Sequence, residues 1–229
     1  MLAAPKPDSS HGSPRIPALP QPPDVVSVAQ YNDKRGFGLK PPPEISVLSS
    51  VFRDTPAPWI ALDGVCIEVP PSHHWEQGVG KAAGWSGFRA IVFGPDWRIL
   101  SDTCYSCYYP PNEMPQMKTD FCSIPLGAYV LVATGDATCN SDGSDVENST
   151  AAMQYLGADA FLREHQRSKM RCAYIGLLHK SKPPVYEDAI GKMSSSLCAV
   201  ILPPRPPPTS IFCIFWSRFT SNPGPAATA

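Results

Sequence analysis

Ile124-Pro125-Leu126-Gly127-Ala128-Tyr129-Val130-Leu131-Val132-Ala133-Thr134-Gly135-Asp136 is the stretch whose reading decides the fold. From Ala128 to Thr134 it is apolar without alternation, the pattern of a central strand buried on both faces. Working outward, a helix is predicted just upstream. Asn112 can cap it, Pro115 falls in its first turn, and Met114, Met117 and Phe121 recur at i, i+3 and i+7 on one face, with Gly127 to stop it. Downstream, a second helix runs from about Ser144 or Ser149 through Ala151, Ala152, Met153 and Leu156 and ends at Gly157. Cys172 to Leu178 is the next apolar strand.

Further upstream the runs have strand character. Ile45 to Val51 is aliphatic and β-branched. Trp59-Ile60-Ala61-Leu62 and Val65-Cys66-Ile67-Glu68-Val69 flank Asp63-Gly64, a strong hairpin signal. Phe88 to Phe93 and Trp97 to Leu100 flank Gly94-Pro95-Asp96 in the same way. Several strands, then helix, strand, helix and strand, predict an α+β fold with a sheet core flanked by short helices.

The 28 prolines crowd before Glu44 and after Leu202. Residues 1–43 and 203–229 therefore read as disordered proline-rich segments around one domain, 44–202. About 160 residues can bury a sizeable core without staples. The apolar hexamer Ile211–Trp216 is odd for a linker and could dock on the domain. A net charge of −1 without a long Lys or Arg run argues against nucleic acid as a partner and against an anionic membrane surface. No stretch approaches the roughly 20 apolar residues of a membrane span. The start, Met-Leu-Ala-Ala-Pro-Lys-Pro-Asp, has no apolar core and is not expected to be a signal peptide, so compartment stays open between an internal protein and an upstream start.

The remaining motifs are weak carriers of chemistry. Eight cysteines permit disulfides without requiring them, and Cys104-x-x-Cys107 lacks the second pair a zinc site needs, leaving buried thiols or one disulfide. His73-His74 with Glu76 reads as a surface loop. Asp142, Asp145 and Glu147 read as acids leading into a helix N-terminus rather than a calcium loop. No nucleophile-elbow, Walker or Rossmann signature occurs, so catalytic residues, metals and cofactors are not expected. Asn148-Ser149-Thr150 is a glycosylation sequon, meaningful if the chain is exported.

Six pieces in order resemble the ILEI/PANDER domain: Ser50-Val51-Phe52-Arg53-Asp54 with Ile60-Ala61-Leu62-Asp63-Gly64; Gly87 to Phe93; Asp102-Thr103 with Tyr105; Ile124 to Ala133 closing on Asp136-Ala137; Leu156-Gly157-Ala158; and Ala173-Tyr174-Ile175-Gly176 with Lys180. That domain occurs in interleukin-like inducers of epithelial–mesenchymal transition, in the pancreatic-derived factor, in the stem of the O-linked-mannose N-acetylglucosaminyltransferase and in hyaluronan-binding cell-surface proteins. The resemblance implies a β-rich globule without catalytic apparatus that binds glycan or glycoprotein. Its alternative implication is a secreted, cytokine-like signalling factor with a protein receptor. Either implies the secretory pathway. The family's Gly-Arg-Gly is Trp85-Ser86-Gly87 here, strict register places Lys169 at its late arginine, and no second acid follows Asp136.

A sugar site needs an aromatic face and planar polar groups that bridge neighbouring hydroxyls. The residues expected to supply these are Trp85, taken as exposed, with Asp136, Arg167 and Lys169. Asp136 as a mere turn residue and Arg167 as a solvated helix-end charge are the plainer readings of the same positions.

Overall fold

Tyr129–Gly135 is a strand with partners on both sides, and its alternate residues enter two different cores. The computed structural model describes residues 24–38, 40–50, 57–70, 75–77, 82–107, 113–138, 146–168, 171–191 and 196–203. In chain order the first elements are β1 (Val25–Val26), α1 (Val28–Arg35), β2 (Ile45–Ser50), β3 (Trp59–Leu62), β4 (Val65–Ile67), β5 (Trp75–Gln77), β6 (Ala82–Gly84) and β7 (Gly87–Phe93). They continue with β8 (Ile99–Tyr105), α2 (Met114–Ser123), β9 (Tyr129–Gly135), α3 (Val146–Gln154), α4 (Asp159–Ser168), β10 (Ala173–His179), β11 (Lys182–Ile190) and β12 (Ser196–Ile201). The α+β expectation, a sheet core flanked by short helices, is met.

The ten-stranded sheet has two arms. One is antiparallel throughout, β8-β7-β9-β10-β11. The other is β12-β2-β3-β4, antiparallel, with β1 added parallel to β4. They join where β2 and β9 run parallel, at Ser50 opposite Gly135. The arms enclose a first core that holds Ile45, Val47 and Ile60 from one and Ile91, Leu131 and Ile175 from the other. The opposite face of β7, β9 and β10 packs on α2, α3 and α4, with Phe88, Val130 and Val132 meeting Met117, Met153 and Phe161. Leu131 and Ala133 point into the first core and Val130 and Val132 into the second, which is why the β9 sequence is apolar without alternation.

Local sequence explains the joints. Asp63 and Gly64 both take positive φ, 51° and 76°, the mirror-image turn that suits a two-residue hairpin. The β7–β8 hairpin also forms, closed around Gly94-Pro95-Asp96. In α2, Met114, Met117 and Phe121 are the buried positions, as the spacing predicts, while the cap position is Glu113 and Asn112 lies outside the described residues. Gly176 has a packing role. A Cβ there would stand 2.1 Å from the Tyr174 hydroxyl, which lies across the glycine to donate to Glu187 Oε1 at 3.1 Å.

The domain starts earlier than residue 44, which corrects the reading of residues 24–43 as disordered. Val25 and Val26 pair with Cys66 and Ile67, and Tyr31 is buried in the first core. The Asn32 carboxamide donates to Ile99 O and accepts from Ile99 N, both at 2.8 Å, as a neighbouring strand would. Arg35 is buried, donates to the carbonyls of Asp96 and Pro41, and pairs with Asp63 at 3.5 Å. Few apolar residues suffice because α1 contributes one face among polar neighbours, and the surrounding prolines mask that pattern. Residues 1–23 and 204–229, including the Ile211–Trp216 hexamer, lie outside the described residues.

Candidate functional site

Strands β7 and β9 meet backbone to backbone at their shared end, where Gly87 pairs with Gly135. A Cβ at Gly87 (φ 90°) would lie 2.1 Å from Tyr105 O, and one at Gly135 would lie 2.2 Å from Trp85 O. Only glycine fits such an approach. The chain then turns at Asp136, in the left-handed region at φ 54°, with its N–H donating to Ser50 O at 2.8 Å. The carboxylate is thus fixed at the carboxyl end of the central strand, where both arms converge.

Two neighbours complete the arrangement. Ile175 pairs with Ala133, and the same register carried onward sets Arg171 opposite Ala137, beside Asp136. Arg171 Nη1 lies 3.7 Å from Asp136 Oδ1, and both side chains keep some solvent contact, 18% and 9% exposed. On the other flank the Gly87–Gly135 pairing brings Ser86 and Asp136 to the same sheet end. Ser86 is 7% exposed and its hydroxyl is buried with no hydrogen-bond partner. Below the site a polar network ties three strands together. Ser49 Oγ donates to Thr134 O at 2.8 Å, Thr134 Oγ1 donates to Cys172 O at 2.7 Å, and the Tyr174 N–H donates to both hydroxyl oxygens.

No family model matches the chain, and no curated protein does either. The site is therefore read from its own geometry.

Of the residues the sequence pointed to, Asp136 lies at the carboxyl end of β9, beside Arg171. Trp85 is not the expected surface platform. It is fully buried in the first core, its ring 5.3 Å from the Arg89 guanidinium and its Nε1 without a partner. Glycine and serine neighbours do not expose this side chain, which the short link between β6 and β7 carries into the first core. Arg167 is a helix-end charge, 73% exposed and paired with Glu164 at 2.9 Å. Lys169 lies outside the described residues. Arg171 and Ser86 were missed as contacts. The β9–β10 register is the signal for Arg171, and a motif alignment that counts along one strand does not see it.

The other candidate groups are structural where they are described. Cys104 and Cys107 are buried; Cys104 is a free thiol whose pKa burial pushes up, and Cys107 Sγ donates to Ala137 O at 2.9 Å. Cys66, Cys122, Cys172 and Cys198 are also free thiols. Glu147 sits in the first turn of α3, as the dipole reading expects. His73, His74, Asp142, Asp145, Cys139 and Cys213 lie outside the described residues. Among the described residues no group of three His, Cys, Asp or Glu is placed to hold a metal, and no helix is long and apolar enough to cross a membrane.

His165 was not anticipated. It is buried between Thr138 and Ser149, with Nδ1 3.3 Å from Thr138 Oγ1 and Nε2 3.5 Å from Ser149 Oγ, and it stacks on Phe161 at 4.7 Å. Burial lowers its pKa to about 4. A neutral ring in this position ties α4 and α3 to the chain leaving Asp136.

Proposed function

We propose that the chain is a non-catalytic recognition domain that binds glycan at the carboxyl end of β9, through Asp136, Arg171 and Ser86. The observation that carries this reading is the Ser86 hydroxyl, buried without a partner at the same sheet end as a partly solvated carboxylate–guanidinium pair. A buried hydroxyl left unbonded costs free energy that a ligand oxygen can recover. Vicinal sugar hydroxyls both donate and accept, so they suit a fixed carboxylate acceptor beside a guanidinium donor. The ILEI/PANDER resemblance supports the same class, with a secretory compartment. Because Trp85 is inside the first core, recognition rests on hydrogen bonds rather than ring stacking.

The test is a glycan array probed with the full chain and with Asp136→Asn, which keeps the shape and tolerates positive φ. Saturable binding that falls at least tenfold in the variant, at an unchanged melting temperature, is the expected result. Sugar binding that survives both Asp136→Asn and Ser86→Ala would move the site elsewhere. A blank array at high protein concentration would remove the sugar reading and leave a protein receptor as the partner class.

A further inference from the structure

We propose that Asn148 carries an N-linked glycan whose first sugar lies in the groove between α2 and α3, against the ring of Tyr155. The proposal rests on the secretory compartment of the reading above and not on its ligand site. Asn148-Ser149-Thr150 is the single Asn-x-Ser/Thr sequence of the chain. Its residues divide in α3. Ser149 is buried, donating to Val146 O at 3.2 Å and lying 3.5 Å from His165 Nε2. Asn148 and Thr150, on either side of it, keep partial solvent exposure.

The surroundings of Asn148 make room for a sugar. Together with Tyr155, seven residues and two turns along the same face, it lines a groove of about 610 Å³. The opposite wall includes Lys118 and Thr119 of α2, and the volume falls in the range of small-ligand sites. Tyr155 is 46% exposed, with Lys180 Nζ over its ring at 5.4 Å. That lysine is anchored in turn, donating to Phe121 O at 2.8 Å. An ammonium over one face of the ring leaves the other to the C–H side of a sugar. Lys118 and Thr119 offer donors to an N-acetyl carbonyl and to hydroxyl oxygens. A sugar tethered at Asn148 is at high effective concentration beside Tyr155, so weak stacking suffices to seat it.

The bond formed joins the Asn148 side-chain nitrogen to the anomeric carbon of an N-acetylhexosamine. The bond broken links that carbon to the pyrophosphate of a lipid-linked oligosaccharide donor, which departs as the lipid pyrophosphate while the amide gives up one proton. Transfer precedes folding, so the helix that later holds Asn148 is no barrier to it. The folded position has only to leave space for the sugar, and the groove does.

Expression of the full chain in eukaryotic secretory cells tests this, once with its own start and once behind a cleavable leader. The exported chain should show a mass increase that peptide N-glycosidase removes. Asn148→Gln and Thr150→Ala should abolish it, and Thr150→Ser should keep it. An exported chain without the modification would overturn the proposal. Modification that appears only behind the added leader would uphold the acceptor and its groove and remove the secretory compartment instead. The seat on Tyr155 has its own readout: the glycosylated chain should melt about 2–4 °C above its enzymatically stripped form, and Tyr155→Ala should close that gap. No gap in the parent chain, or an equal gap in Tyr155→Ala, would overturn the seat.

Discussion

The molecule holds two arginine–aspartate pairs in opposite situations. Arg89 and Asp102 join β7 to β8 with side chains 0% and 3% exposed. The guanidinium makes a two-pronged contact, Nε to Oδ1 at 2.9 Å and Nη2 to Oδ2 at 2.7 Å, and also donates to the carbonyls of Ile67 and Glu68. Arg171 and Asp136 stand 3.7 Å apart at the rim of the sheet, with water in reach. The same residue types thus serve two ends. A pair enclosed and bonded on every side is a fastener, because removing either partner strands a charge in the core. The looser pair at the sheet end, with an unbonded hydroxyl at the same end, is the place where we propose that a ligand binds.

The largest expected effect lies at the enclosed pair. Arg89→Met leaves Asp102 buried without its cation and removes two carbonyl contacts, so stability in urea should fall by about 3–5 kcal/mol. A loss under 1 kcal/mol would erase the distinction between the pairs. Next is acid sensitivity through His165. Its folded pKa, about 4, is below the ordinary 6.5, so the unfolded chain binds the proton more readily between these values. The stability the neutral ring contributes is present above pH 6.5 and lost as pH falls toward 4. That loss is on the order of 3 kcal/mol, and His165→Gln should flatten this part of the unfolding profile.

Smaller effects sharpen the open pair. Asp136→Ala puts a residue with no local hydrogen-bonding side chain at φ 54° and should cost about 1 kcal/mol. Asp136→Asn should cost less, and equal losses would show that the carboxylate charge itself is structural. Ser86→Ala should leave stability level or slightly raised, because the hydroxyl removed has no partner. A clear destabilisation would mean that Ser86 is bonded in the native protein.

Much of this fold is legible in the sequence where burial imposes a period. The uninterrupted apolar run of β9 reflects two cores, and Met114, Met117 and Phe121 mark the inner face of α2. Legibility fails where tertiary contacts override local composition. α1 is mostly polar, and its one local sign is the capping box, in which Ser27 and Gln30 bond each other's backbone N–H groups. β11 contains Pro183 and Pro184, which argue against a strand until its position at a sheet border is known. In α4 the charged residues mask the Phe161 and His165 face that the second core requires. The site divides along the same line: Asp136 follows a strand that can be recognised, whereas Arg171 and Ser86 reach it only through pairings between strands.

The Gly87–Gly135 crossing also limits how this scaffold could diversify. A methyl group at either position collides with main chain, so drift or engineering cannot reshape the proposed binding end by growing side chains from the crossing itself. If ligands bind there as proposed, new preferences would have to arise from flanking residues such as Ser86 and Arg171, while the strand crossing beneath them stays invariant.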